Sequence, residues 1–313
     1  WSLENEITFI NSRNLGQAEA VEPEIARGAR EVMALDPTRP VMVDGGNCLM
    51  DKSLPVNGVH YMESYWRDYP DEAYTLEKAY QAHEADLLPG WGKCPWQLVP
   101  DRPIFMGESF YARGSTPSAY AQFGGEACFQ GWGPATRVGV GRLAKILAEG
   151  YRWHGVAAHH FWLSETETDL HHNSWRPVAL LCREWNWTFA GGEEVSRTLK
   201  VFNNTHLDEP IEAVWALLQG GKVVVRETRT CALPPGGSEE FGVRVTMPSV
   251  GTRTAGEFVL KCSRGGQELF RESKPVALIP ADAGPKPGLV AAQLVVVDPA
   301  GTVRARLQAR GRP

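Results

Sequence analysis

The chain has 313 residues, 43% apolar and 22% charged, with a formal net charge of −5. It is long enough for two domains with sizeable cores, and its mild acidity gives no electrostatic reason to expect nucleic acid or an anionic membrane as a partner. No run approaches the ~20 apolar residues of a membrane span. The only dense basic run, VRARLQARGR, reads as a solvated helix face or a tail. The cysteines (Cys48, Cys94, Cys128, Cys182, Cys231 and Cys262) are scattered without a CxxC pair. They read as buried free thiols, so neither a disulfide framework nor a zinc site is expected.

The sequence opens on WSLENE, an apolar strand running straight into two carboxylates around an asparagine. Such a start suggests a piece of a longer polypeptide, with any leader upstream and localisation illegible. AEAVEPEIARGAREVMAL spaces Ile25, Ala29, Val32, Met33 and Leu35 along one helical face, and DPTRP stops it. PVMVDGG and GVHYME are the next two strands. The helix YTLEKAYQAHEADLL follows, then the strand RPIFMGESF, the helix TRVGVGRLAKILAEGYRW and the strand GVAAHHFWLSE.

Short strands separated by helices imply right-handed crossovers and a parallel sheet. No glycine-rich phosphate-binding motif follows any strand, which removes the nucleotide-binding version. A polar residue does follow each strand: Glu6, Asp44, Tyr61 or Glu63, Glu108 and Trp162. That habit belongs to the (β/α)8 TIM barrel, whose chemistry gathers at the carboxyl ends of its strands. Five such strands are visible; they are read as strands four to eight, in a partial barrel over residues 1–175. The first three strands, the N-terminal remainder of the same barrel, are then an expected partner. Expressed alone, the five-stranded piece is expected to be poorly soluble or inactive because two sheet edges stay open.

Beyond the barrel the periodicity changes to two. SRTLKVFNN, IEAVWALLQ, KVVVRETRT, EEFGVRVTMP, TAGEFVLKCSR and QELFRESKPVAL alternate apolar and polar residues between the turns QGGK, PPGG and SRGGQ. This predicts an immunoglobulin-like antiparallel β-sandwich over 185–280. PADAGPKPG is a linker, and 281–313 reads as that linker followed by the start of a further α/β unit or a terminal hairpin.

Glu6 and Glu108 fall on equivalent ends of two barrel strands, which places them on facing sides of the barrel mouth. Two carboxyls about 5–5.5 Å apart suit a glycosidase that retains anomeric configuration. WSLENE resembles the Trp-Ser-Leu-Gly-Asn-Glu acid/base motif of family-two glycoside hydrolases, with Glu4 in the glycine's place. DPTRPV, RPIFMGES and GVAAHHFWLSE are similar to later segments of that family and of its clan of retaining β-glycosidases. The resemblance implies Glu6 as acid/base, Glu108 as nucleophile and Asn5 as the contact to the sugar 2-hydroxyl. It further implies Trp162 as the platform under the ring, and Tyr61 or Tyr65 as the hydroxyl that bonds the nucleophile. The implied substrate is an oligo- or polysaccharide β-glycoside, with a galactoside first.

From position alone, His60 either reaches a sugar hydroxyl or is a satisfied core histidine. Trp66, Trp91, Trp96 and Trp132 lie on connections, where tryptophans stack on sugars or plug cores. His159-His160 and His171-His172 cannot chelate as written, because adjacent strand residues face opposite ways. No metal or other cofactor is expected, and the oligomeric state is unread. The alternative function is a non-catalytic carbohydrate-binding or adhesion protein on a degenerate barrel, with the sandwich as its working module; a metal-dependent hydrolase comes third.

Overall fold

A computed structural model describes residues 1–45, 52–60, 99, 101–109, 120–161 and 168–281, with single residues 298, 301, 305 and 308 beyond them. The helix expected over 74–88 lies outside the described residues, as do the linker after 281 and nearly all of the terminal unit. The first half contains β1 (Ser2–Asn5), α1 (Ala18–Leu35), β2 (Met42–Asp44), β3 (Asn57–His60), β4 (Ile104–Ser109), α2 (Pro134–Trp153) and β5 (Ala158–Phe161).

The strands pair in parallel as β1–β2 and β3–β4–β5. At the seam between the two pieces β2 lies against β3, where a Cβ on Gly58 would collide with the Val43 carbonyl. Space therefore follows chain order from β1 to β5. A doubly wound sheet reverses its strand order partway along, whereas this curled parallel sheet does not. Helix α1 packs Ala26 and Ala29 onto Val41, Val43 and Leu54, joined by Leu3, Ile25, Val32 and Met33. Small residues at the contact let the helix come close to the strands.

The turn after α1 is tied back to the chain start. The Asp36 carboxylate accepts hydrogen bonds from the Thr38 hydroxyl, the Arg39 guanidinium and the Trp1 indole, which hold it well below the usual carboxylate range. The Trp1 backbone nitrogen adds a bond to Pro40 O at 2.7 Å. The DPTRP segment thus fixes where β1 begins and so where Glu6 falls.

The second half is antiparallel except for one short pairing. One sheet runs β11 (Ser238–Thr246), β8 (Glu194–Asn203), β6 (Val178–Cys182). The other runs β10 (Lys222–Cys231), β9 (Ile211–Gln219), β12 (Thr254–Arg264), β13 (Gln267–Ile279), β7 (Thr188–Ala190), with β7 parallel to β13. Gly220-Gly221 and Gly265-Gly266 turn the β9–β10 and β12–β13 hairpins with φ of 57°, 78°, 57° and 81°. Two consecutive positive φ angles are what a tight hairpin turn with the native strand twist requires, and glycine adopts them at no steric cost. Both sheets contribute to one core: Leu199, Val201 and Leu180 from the first, Trp215, Leu217, Phe258, Leu260 and Phe270 from the second. The Trp215 and Phe258 rings stack at 5.6 Å between centroids.

Helix α2 starts with Pro134, a residue preorganised for that position, and is buried on nearly every side. One face meets the parallel strands; Ile146 and Trp153 join the antiparallel core. Lys200 donates to Trp153 O at 2.7 Å, and the Arg152 guanidinium lies 4.7 Å above the Phe202 ring. The junction also holds four charges. Lys145 and Glu149 of α2 meet Glu272 and Lys274 of β13, with Lys145–Glu149 at 2.5 Å, Lys145–Glu272 at 3.0 Å and Lys274–Glu272 at 2.7 Å. Lys274 also sits 4.6 Å over the Trp185 ring.

The described cysteines, Cys128, Cys182, Cys231 and Cys262, are free and buried. Burial pushes the Cys262 thiol up to about 12, which leaves it inert as a nucleophile at neutral pH.

Candidate active site

Four successive parallel strands each deliver one polar side chain at or next to their carboxyl end: Glu6 after β1, Asp44 from β2, His60 from β3 and Glu108 from β4. The ENE segment is organised first by local contacts. Glu6 takes a left-handed backbone conformation, φ 58° and ψ 9°, and a single π-helical turn, Ile7–Asn11, follows it. Glu4 supports that turn: its carboxylate accepts from the Ile7 N–H at 2.5 Å and from the Thr8 hydroxyl at 3.3 Å. Burial nevertheless pushes the Glu4 carboxyl up. The Glu6 N–H donates to Asp44 O at 2.9 Å, which anchors the residue to the neighbouring strand. Left-handed non-glycine residues and π turns concentrate at functional sites, where surrounding structure holds them in place.

The second set of contacts is long-range. Val59 pairs with Met106, but His60 pairs with Glu108, so Gly107 is the extra residue of a bulge in β4. The bulge turns Glu108 toward β3, a use of bulges common beside active sites. Donor atoms of Glu6, His60 and Glu108 lie within 4.8 Å of one another. The two carboxylates singled out from sequence thus come together. Asn5 Nδ2 donates to Glu108 Oε1 at 3.4 Å, so the asparagine reaches the second carboxylate from the first strand.

His60 is the centre of the network. Its Nδ1 lies 3.0 Å from Glu6 Oε1, its Nε2 lies 2.8 Å from Asp44 Oδ1, and its side chain has no solvent exposure. Burial alone would lower its pKa. The hydrogen bonds to Asp44 and Glu6, with the charges of Asp44 and Glu108, outweigh that and hold it up at about 9. The ring is therefore a buried imidazolium at neutral pH, donating from both nitrogens. With a folded pKa above the ~6.5 of a free imidazole, its stabilising effect is complete below that value and is lost as pH climbs through about 9. Unfolding free energy measured in urea is expected to fall by at most about 3 kcal/mol between pH 6.5 and 10, and His60→Asn should flatten that slope.

Among the described residues, Glu6, His60 and Glu108 form a trio whose spacing would admit a metal ion. An imidazolium with both nitrogens donating has no lone pair for a cation, and two carboxylates alone make a poor closed site. Two further histidines, His159 and His171, serve packing. His159 stacks on Trp175 at 4.2 Å between centroids, and burial, followed by the Arg152 charge, lowers it to about 3. His171 Nδ1 accepts from the same Trp175 indole at 3.0 Å.

Tyr61, Tyr65 and Trp162, named from sequence as sugar contacts, lie outside the described residues, as do Trp66, Trp91 and Trp96. Trp132 is described and exposed, in the connection leading into α2. Sequence reasoning named Asp44 among the strand-end polar residues without giving it a role, and passed over Gly107 as a bulge. An isolated glycine inside a strand was the available signal for the latter.

No protein family and no curated protein matches the sequence. Solved structures with similar coordinates include a β-glucuronidase from glycoside hydrolase family 2, 12% identical, covering 32% of this chain and 11% of that chain, TM-score 0.24. Another is the β-glucosidase from Listeria innocua, 12% identical, covering 33% and 16%, TM-score 0.26. A third is Bacteroides uniformis β-glucuronidase 2, 12% identical, covering 32% and 13%, TM-score 0.24. The match spans at most 16% of those chains' length. At such TM-scores we rest function on the residues and their geometry.

Proposed function

We propose that the protein is a glycoside hydrolase that cleaves β-glycosidic bonds with retention, using Glu6 as acid/base and Glu108 as nucleophile. One observation carries the reading: the two carboxylates, from the first and fourth of the five parallel strands, have oxygens within 4.8 Å of each other at the carboxyl ends of their strands. That spacing suits a direct attack by one carboxylate; an inverting pair stands about 6.5–9.5 Å apart to admit a water. The WSLENE motif adds the assignment of roles. In the first step a Glu108 oxygen bonds to the anomeric carbon as the bond to the leaving oxygen breaks, and Glu6 passes its proton to that oxygen. In the second step Glu6 takes a proton from water, whose oxygen displaces Glu108 and restores both residues.

In this reading the parallel segment, 1–175, is the last five strands of a (β/α)8 barrel, followed by an immunoglobulin-like sandwich over 185–280. A galactoside is the first substrate to try. Asn5 would reach the sugar 2-hydroxyl, with Trp162 under the ring and Tyr61 or Tyr65 on the nucleophile. The test uses the polypeptide that carries the whole barrel and a panel of aryl β-glycosides: galactoside, glucoside, mannoside and glucuronide. Proton NMR of the reacting mixture should show the β-anomer of the released sugar first. An α-anomer formed first, or no turnover across the panel, would sink the proposal.

A further inference from the structure

We infer that Asp44 and His60 are a positioning pair that aims the Glu6 carboxyl, so that proton transfer by Glu6 depends on both. The inference rests on the glycosidase reading above and deepens it.

The pair is built from three strands. Asp44 ends β2, His60 ends β3, and Glu6 follows β1, so the Asp44–His60–Glu6 chain crosses the curled sheet at the mouth. His60 is sealed from solvent and both its nitrogens are occupied by carboxylates. A ring so placed acts on its neighbours rather than on a sugar, which replaces the hydroxyl contact considered for it from sequence. Glu6 needs such support, because its left-handed backbone does not continue the β1 ladder.

Two glycines mark the room kept for the pair. A Cβ on Gly107 would collide with the Asp44 carboxylate, and a Cβ on Gly45 would lie 2.8 Å from His60 Nδ1. Gly107 immediately precedes Glu108, so the residue that makes the bulge also clears space for Asp44. With Oε1 of Glu6 accepting from His60, the transferable proton is left to Oε2, and the pair thereby chooses which oxygen meets the leaving group. The carboxyl groups facing His60 are those of Glu6, Asp44, Glu108 and, at longer range, Glu4.

A group that acts through an acid is recognised by what its loss spares. Phenyl β-glycosides need a proton on the departing oxygen; 2,4-dinitrophenyl β-glycosides do not. In the polypeptide carrying the whole barrel, His60→Ala and Asp44→Asn should each lower kcat/KM for the phenyl substrate on the order of 100-fold, and for the dinitrophenyl substrate less than about tenfold. Gly107→Ala should show the same bias, and His60→Gln should recover part of the phenyl activity. Equal losses on both substrates, or none, would overturn the inference. Glu6→Gln and Glu108→Gln run alongside separate the two ideas. If Glu6→Gln shows the leaving-group bias and His60→Ala does not, the pair falls and the glycosidase stands. If both glutamate variants keep full turnover, the glycosidase falls and takes the role of the pair with it. Nitrogen-15 NMR tests the geometry without activity. The His60 ring should carry protons on both nitrogens at pH 7.5 and respond to Asp44→Asn and to Glu6→Gln; a singly protonated ring blind to both would also overturn the inference.

Discussion

Glu108→Gln is expected to lower kcat for an aryl β-glycoside by on the order of 10⁵-fold while leaving the unfolding transition in place. The side chain is isosteric but cannot attack the anomeric carbon, and removal of a nucleophile from a preorganised site has effects of that size. Glu108 is half-buried, and glutamine keeps an oxygen that can accept from Asn5 at 3.4 Å, so the change removes only the charge beside His60. Activity within tenfold of the parent would remove Glu108 from the mechanism. A loss accompanied by a collapsed unfolding transition would instead point to a structural carboxylate.

Lys274→Met is expected to destabilise the protein by about 3–5 kcal/mol. Lys274 is 6% exposed, and it faces Glu272 at 2.7 Å and Glu149 at 3.9 Å. Burial acts against both charged forms, but the two lysines hold the Glu272 carboxyl well below its ordinary range, and the glutamates hold Lys274 up. Removing Lys274 leaves two buried carboxylates, Glu149 and Glu272, sharing the single counter-charge of Lys145, the costly way to break such a cluster. Replacing all four members with apolar residues of matched volume should recover most of the loss, because a desolvated ion cluster is itself weakly stabilising. Urea unfolding of the single and quadruple variants checks this. A loss below about 1 kcal/mol for Lys274→Met would mean that water reaches the junction.

The elements with regular periodicity were legible before any coordinates. α1 shows its core face every three or four residues, and β8 and β11 alternate because one side faces the core and the other faces out. β6 was missed because every residue of VALLC is buried. Leu180 faces the second sheet opposite Val201, while Leu181 shares a side with Lys200 and so with the end of α2. A strand covered on both sides loses alternation and looks like any short apolar run. β7 is three residues long, too short for any pattern.

Of the candidate site, the carboxylates could be read because each ends a recognisable strand and one lies in a known motif. The Asp44–His60–Glu6 chain could not. Its links join residues 16 and 54 positions apart, and only the β-sheet order decides that they meet. The same holds for Glu272 and Lys274, which lie in a strand that the sequence marks only by its alternation. They stand on the core side of β13, in line with Phe270, Val276 and Leu278.

That placement bears on how the molecule can be taken apart. Cutting the gene after the parallel segment would not release a trimmed unit with a clean outer surface. It would leave Lys145 and Glu149 facing water on a helix shaped for contact, beside bared Ile146 and Trp153. The antiparallel half is in that sense the outer wall of the parallel half. Shuffling it for an unrelated sandwich should fail unless the incoming strand brings its own lysine and glutamate to the same two places.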